Sequence, residues 1–336
     1  MKKRYWVLLV LLLVLVVSYF LGPKPINPIY RTELPEIPSS SNLEALENHV
    51  KRTEARQALR EDNQARIKWQ DSSPQVTEYS IVYLHGFAGS YRDAHPVNVN
   101  IADSLNANIY LARWAGHGMR PEVALKDFTP ETAWNSAKEA LEIGNRIGKK
   151  VIIMSTSTGG SLAIKLAAEY PNMVHALINL APNVKDDQTG SFLLNSPWGY
   201  ELAHLVSFGD HKIIEHEQEI AEKYWDTIYP SKALVDLQIL IGSTMNPETF
   251  SKVNCPILTL YYKENYFEKD AHVEVSLFPE VHEAFSTADS LKKLVALSTP
   301  KTHFIGSDIK SQDIKSVEQE IMKFLRGNLG ISIPEP

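Results

Sequence analysis

The stretch that most restricts the fold is KKVIIMSTSTGGSLAIKLAA, residues 149–168. Val151 to Met154 is an uninterrupted apolar run, as a strand buried on both faces requires, and Ser161 to Ala168 continues as a small-residue helix with Leu162 and Leu166 on one side. Between them stands Ser155-Thr156-Ser157-Thr158-Gly159-Gly160. A strand that turns this abruptly into a helix holds its apex residue in strained backbone, and only small side chains fit two positions before and two after the apex. One register meets that demand. With Ser157 at the apex the flanks are Ser155 and Gly159, whereas with Ser155 there the earlier flank would be the bulky Ile153. The pattern therefore presents Ser157 at the end of a buried strand, with Ser155 where glycine is usual.

Around this centre strand and helix alternate, which predicts a mainly parallel sheet. Thr77 to Leu84 is rich in β-branched and aromatic residues and runs into His85-Gly86-Phe87-Ala88-Gly89. Asn108 to Arg113 is the next strand, followed by Trp114-Ala115-Gly116-His117-Gly118, in which His117 reads as structural. Thr129 to Ile147 predicts an amphipathic helix leading into the central strand, with Trp134, Ala137 and Leu141 along one side. Strands follow at Val174 to Leu180, Pro256 to Tyr262 and Leu291 to Ser298, and a closing helix at Ser311 to Leu325.

The order and spacing of HGFAG, GHG and STSTGG resemble the α/β-hydrolase superfamily, and within it the serine esterases and monoacylglycerol-lipase-like enzymes. The resemblance runs from about Thr77 to the end. It implies an α/β-hydrolase fold with a mainly parallel central sheet flanked by helices and a helical cap or lid insertion. Ser157 would be the nucleophile, and the backbone N–H groups of Phe87 and Thr158 would form the oxyanion hole. A serine hydroxyl needs a base, and the base an orienting acid. The superfamily's order of Ser, acid, His places the acid in Lys263 to Val273, where Glu264, Glu268 and Asp270 compete. Asp270 is preferred because similar enzymes carry Asp followed two or three residues later by Val, here Val273, although this loop is longer than usual. The base would be His303, between the last strand and the last helix. His282 competes but lies within an expected helix, Glu274 to Asp289.

The resemblance implies a hydrolase of carboxylic esters, lipid or acyl esters among them. The same constellation serves thioesterases, amidases and acyltransferases, and a catalytically silent membrane-anchored binding module is a rival of another class. About seventy residues, Asn183 to Asn254, exceed what the sheet needs and read as the cap. Its Trp198 and Trp225 would either line an acyl pocket or form the cap's own core. No metal-ligand spacing, phosphate loop or dinucleotide fingerprint occurs, so neither metal nor cofactor is expected.

With 336 residues, 44% of them apolar, the chain suits one large α/β domain, expected over 73–330 with the cap at 183–254. A net charge of −6 with scattered basic residues argues against nucleic acid as a partner. The single Cys255 excludes an intrachain disulfide, and oligomeric state is not encoded legibly. Lys2, Lys3 and Arg4 precede an apolar run that reaches Gly22. Residues 1–22 are expected to form a transmembrane anchor with the amino terminus cytoplasmic and the hydrolase domain outside, periplasmic in a bacterium, with a cleaved signal peptide and secretion as the alternative. Residues 23–72 read as a Pro-rich stalk and a charged, mostly solvent-facing helix opened by a capping box at Ser41 to Glu44.

Overall fold

The computed structural model describes residues 2–39 and 41–333. After α1 (Lys2–Phe20) and α2 (Leu43–Ala55), the chain runs through β1 (Arg66–Lys68), β2 (Thr77–Leu84), α3 (Val97–Ser104), β3 (Asn108–Leu111), α4 (Pro130–Ile147), β4 (Gly148–Thr156), α5 (Thr158–Glu169) and β5 (Ala176–Leu180). The segment expected as a cap then carries α6 (Gly199–Val206), β6 (His211–Ile213), α7 (Glu219–Tyr224), β7 (Ile228–Pro230), α8 (Lys232–Thr244) and α9 (Pro247–Lys252). The chain returns through β8 (Ile257–Tyr262), α10 (Phe278–Ala284), β9 (Lys292–Leu297) and α11 (Ile314–Gly327).

Seven strands form one sheet in the order β1-β3-β2-β4-β5-β8-β9. Every pairing is parallel except β1 with β3. β4 lies at the middle, so the strand that precedes Ser157 is buried on both faces, as its unbroken apolar run requires. Side chains alternate between the faces. Val82, Leu84, Val151 and Ile153 join the core under α2, α4 and α5, whereas Ile81, Tyr83, Ile152 and Met154 join the core under α3 and α11.

Four local expectations shift. The sheet begins at Arg66, ahead of the expected boundary at 73, because three residues of β1 carry too short a pattern to be read without their partner strand. The N-cap of α2 is Asn42, whose side chain accepts the Ala45 N–H, one residue later than the capping box predicted. Leu46 and Val50 of this helix are buried, and Glu54 binds Arg113 through both nitrogen branches, at 2.7 Å each, so α2 belongs to the body of the domain. The expected helix from Glu274 to Asp289 is reduced to α10, which Pro279 helps to start.

The amino-terminal apolar run is helical, but among the described residues no helix is long and apolar enough to cross a membrane. The expected single-pass anchor and its topology are therefore not supported. The uncharged part of α1, Tyr5 to Phe20, has sixteen residues and rises only about 24 Å, short of a hydrocarbon core of about 30 Å. The Pro-rich stretch forms neither helix nor strand over 23–39, yet it does not stand free. Tyr30 hydroxyl meets Ser243 at 2.7 Å, Trp134 Nε1 donates to Arg31 C=O, and Lys138 Nζ donates to the carbonyls of Arg31 and Glu33. Residues 29–33 thus lie as a strap across α4 and α8.

Candidate active site

Four strand ends build the site. At the end of β4, Ser157 has φ +54° and ψ −124°, a conformation that side-chain-bearing residues rarely adopt and that the surrounding turn enforces. Its N–H donates to Leu180 C=O, and its own C=O accepts from Gly160 and Asn183 N–H groups, so the end of β5 and the residues that follow it hold the turn. Gly159 is sterically required, since a Cβ there would lie 2.1 Å from Leu84 O. Ser155 is tolerated in place of glycine because its side chain turns away and donates to Asn179 Oδ1 at 2.7 Å, fully buried. Ser157 itself retains 9% exposure, and its hydroxyl makes no hydrogen bond among the described residues.

At the end of β8 the long loop places the three candidate acids in different surroundings. Its first part folds into a small hairpin bridged between Lys263 and Lys269, with Tyr266 and Phe267 exposed at the tip. Glu264 and Glu268 belong to this hairpin, where Glu264 pairs with Lys301 and Glu268 meets Asn265. Asp270 lies where the chain re-enters the domain and is fully buried. Its Oδ1 accepts the N–H groups of His272 and Val273, and its Oδ2 stands 2.6 Å from His303 Nδ1. The loop after β9 brings His303 to this partner. His282, by contrast, is buried on α10 with its Nε2 at 2.8 Å from Thr259 Oγ1, away from Asp270.

The electrostatics follow from this packing. Burial alone would depress the His303 pKa, but the charge and hydrogen bond of Asp270, with Asp93 and Asp186 nearby, outweigh it and hold the pKa above the usual histidine value. Burial raises the Asp270 carboxyl, and the His303 charge and the bonds it accepts more than compensate, leaving it below its usual value. His272, though exposed at the surface, stacks on His303 at 4.7 Å between ring centroids, and desolvation of the packed ring, followed by the His303 charge, pushes its pKa down to about 4. Asp270, His272 and His303 could offer a metal ligand atoms within 4.8 Å of one another. The Asp270 oxygen and His303 nitrogen are, however, already engaged with each other.

The loop after β2 packs against the turn. Among the described residues neither the Phe87 nor the Thr158 N–H has an acceptor, so both expected oxyanion donors are free. The Phe87 ring is wedged among His117, Phe128 and Tyr229. His117 lies in the same fully buried ring cluster with His85 and Trp114, where burial holds its pKa well below normal, in keeping with a structural part.

The two tryptophans separate. Trp225 is buried and meets the ring of Phe304, next to His303, at 5.3 Å. Trp198 lies instead against the end of α1, donating from Nε1 to Ser18 C=O and from its backbone to Pro23 C=O. Two cavities, of about 250 Å³ beside Glu54 and Arg113 and about 970 Å³ between α3 and α11, are lined by none of the candidate residues.

Sequence reasoning missed Asp93 and Asp226. Asp93 ends a Ser90-x-x-Asp93 capping box, a pattern visible in the sequence, and its buried carboxylate reaches back to Gly86 N–H at 2.6 Å. Asp226, from the segment after α7, donates its N–H to Ala88 C=O at 2.7 Å and pairs with Arg60 at 2.8 Å.

Comparisons with known proteins agree with this fold. Among solved structures, one from the description of LipS and LipT, two metagenome-derived lipolytic enzymes, superposes with a TM-score of 0.64 at 15% identity, over 80% of this chain and 99% of that one. A monoacylglycerol lipase of Paleococcus ferrophilus gives 0.55 at 13% identity, over 79% and 98%. A soluble variant of monoglyceride lipase from Saccharomyces cerevisiae gives 0.56 at 12%, over 79% and 91%. At such identities the likeness is one of fold. No curated protein matches the sequence significantly. The sequence model of the alpha/beta hydrolase family matches residues 81–291, from the strand before the HGFAG loop to the start of the last strand, and the chain belongs to that family.

Proposed function

We propose that the protein is a serine hydrolase of carboxylic esters acting through a covalent acyl-enzyme. The observation that carries this reading is the buried 2.6 Å bond between Asp270 and His303, positioned by the loops that flank the strained Ser157 turn. Ser157 Oγ attacks the ester carbonyl while its proton passes to His303 Nε2, and the carbonyl π electrons move onto the oxygen. The free N–H groups of Phe87 and Thr158 receive that oxyanion. Collapse re-forms the carbonyl and expels the alcohol, which takes the proton from His303. Water then repeats the sequence on the acyl-enzyme and releases the acid. Asp270 fixes the imidazole tautomer and stabilises its cation.

Trp225, buried beside the His303 loop, favours an apolar acyl group over a small polar one. The 183–254 segment acts as a cap in this reading, because Asp226 and Tyr229 lie directly on the Phe87 loop. The exposed apolar side chains of α1, Tyr5 to Val17, would bring the domain to a lipid surface, and flotation with vesicles tests this. A protein that stays entirely out of the vesicle fraction rejects it. The principal test is labelling by a fluorophosphonate, mapped by mass spectrometry, together with nitrophenyl esters of graded chain length. Modification at Ser157 and turnover are expected. An unlabelled Ser157 in folded protein rejects the enzyme and favours a silent binding module.

A further inference from the structure

The loop that carries the Phe87 amide must keep that N–H unpaired and aimed outward, a shape that free glycine-rich backbone does not hold by itself. Asp93 holds it from within. Its Oδ2 accepts the Gly86 N–H at 2.6 Å, and its Oδ1 accepts the Ser90 N–H at 3.4 Å, so one carboxylate ties both ends of the turn that contains Phe87. The turn closes on itself through Gly89 N–H to Gly86 C=O, and Ala88 adopts φ +57° at its tip. Glycine is needed for the carboxylate to come this close. A Cβ on Gly89 would lie 2.5 Å from each Asp93 carboxylate oxygen, and one on Gly86 would lie 3.0 Å from Asp93 Oδ2 and 3.1 Å from Ser157 Cβ.

Asp93 is fully buried and, among the described residues, makes no ion pair. A buried carboxylate without an ion-pair partner costs stability, and burial accordingly pushes its pKa up to about 7 against the two N–H bonds, the nearby His303 charge and the Trp225 indole. A neutral residue would serve the core better. We propose that Asp93 is a positioning residue for the oxyanion site, clamping the 86–90 turn so that the Phe87 N–H faces the reacting carbonyl.

The inference rests on the proposed esterase reading, and two variants test it. Asp93→Asn keeps the shape but loses one acceptor. Gly89→Ala keeps the charge and drives the carboxylate out of its seat. In each, kcat on a nitrophenyl ester should fall by about 10- to 100-fold with KM little changed, somewhat less than outright loss of an oxyanion donor. The affinity for a trifluoromethyl ketone, which forms an oxyanion on Ser157, should fall in parallel. A structural role alone would move the melting temperature and not this ratio. Wild-type kcat in folded Asp93→Asn overturns the proposal, as does a loss of kcat without a matching loss of ketone affinity. If Asp93→Asn does not fold, Gly89→Ala decides by the same criteria. A wild-type protein that neither turns over the ester nor reacts with fluorophosphonate rejects the esterase reading, and this inference falls with it.

Discussion

Ser157 and Ser155 are two residues apart on the same turn and do opposite work. The Ser157 hydroxyl is unbonded and partly accessible, so Ser157→Ala should remove several orders of magnitude of turnover and leave the melting temperature nearly unchanged. Ser155→Ala strips a buried acceptor of its donor and should cost about 1–3 kcal/mol in denaturant unfolding while activity persists. The reverse pattern would move the nucleophile to Ser155. Asp270→Asn should cost about 10⁴-fold in kcat through the wrong imidazole tautomer, whereas Glu264→Gln and Glu268→Gln should cost little. Because three carboxylates hold the His303 pKa above 6.5, the base is protonated at a higher pH than an ordinary histidine. Activity should therefore start to fall at a higher pH than for an ordinary histidine base, and Asp93→Asn should move that limb downward only to the degree that Asp93, with its own pKa at about 7, is ionised there. An acid limb well below 6.5 in the unmodified protein would contradict this charge arrangement.

The 183–254 segment divides into parts that touch the site and parts that do not. Trp225 touches the His303 loop, and Trp198 touches the end of α1. If Trp225 buries substrate, each added acyl methylene is worth about 0.8 kcal/mol, close to fourfold in kcat/KM, until the pocket fills. Trp225→Ala should flatten that rise more than it lowers turnover of an acetyl ester. Trp198→Ala should leave the chain-length preference intact. Equal effects from both variants would assign the aromatics to the packing of the segment itself.

Across the molecule, the amino-terminal region fastens elements that are far apart in sequence. The Arg60 guanidinium donates to the carbonyls of Glu222 and Trp225 and pairs with the Asp226 carboxylate, and Asp226 N–H in turn holds Ala88 in the loop after β2. Asp226 is nearly fully buried, and burial lifts its pKa to about 7 even with Arg60 beside it. Arg60→Ala leaves that carboxylate without its cation and should cost about 3–5 kcal/mol in urea unfolding. Arg60→Ala with Asp226→Asn should recover part of the loss, and failure to recover any would show that the pair is not what Arg60 supplies. Turnover should fall in the single variant even at temperatures where it remains folded, because the loop carrying Phe87 loses one of its supports.

Short-range sterics were legible in the linear chain. A strand, a serine and two glycines within a few residues can fold in only one register, so the Ser157 turn, the strand alternation and the place of His303 after the last strand follow from local pattern and family likeness. The preference for Asp270 rests on its spacing to Val273, whereas the hairpin that carries Glu264 and Glu268 outward and the burial of Asp270 arise only in the packed domain. Asp93, the edge strand β1 and the docking of Tyr30 on Ser243 had no comparably strong local signal. The uncharged length of α1 could be counted from the sequence, yet the contact of its last turn with Trp198 joins residues 180 positions apart. Such contacts exist because the sheet brings distant strand ends together, and the free energy that selects among equivalent carboxylates or tryptophans is desolvation and hydrogen bonding in that assembled interior.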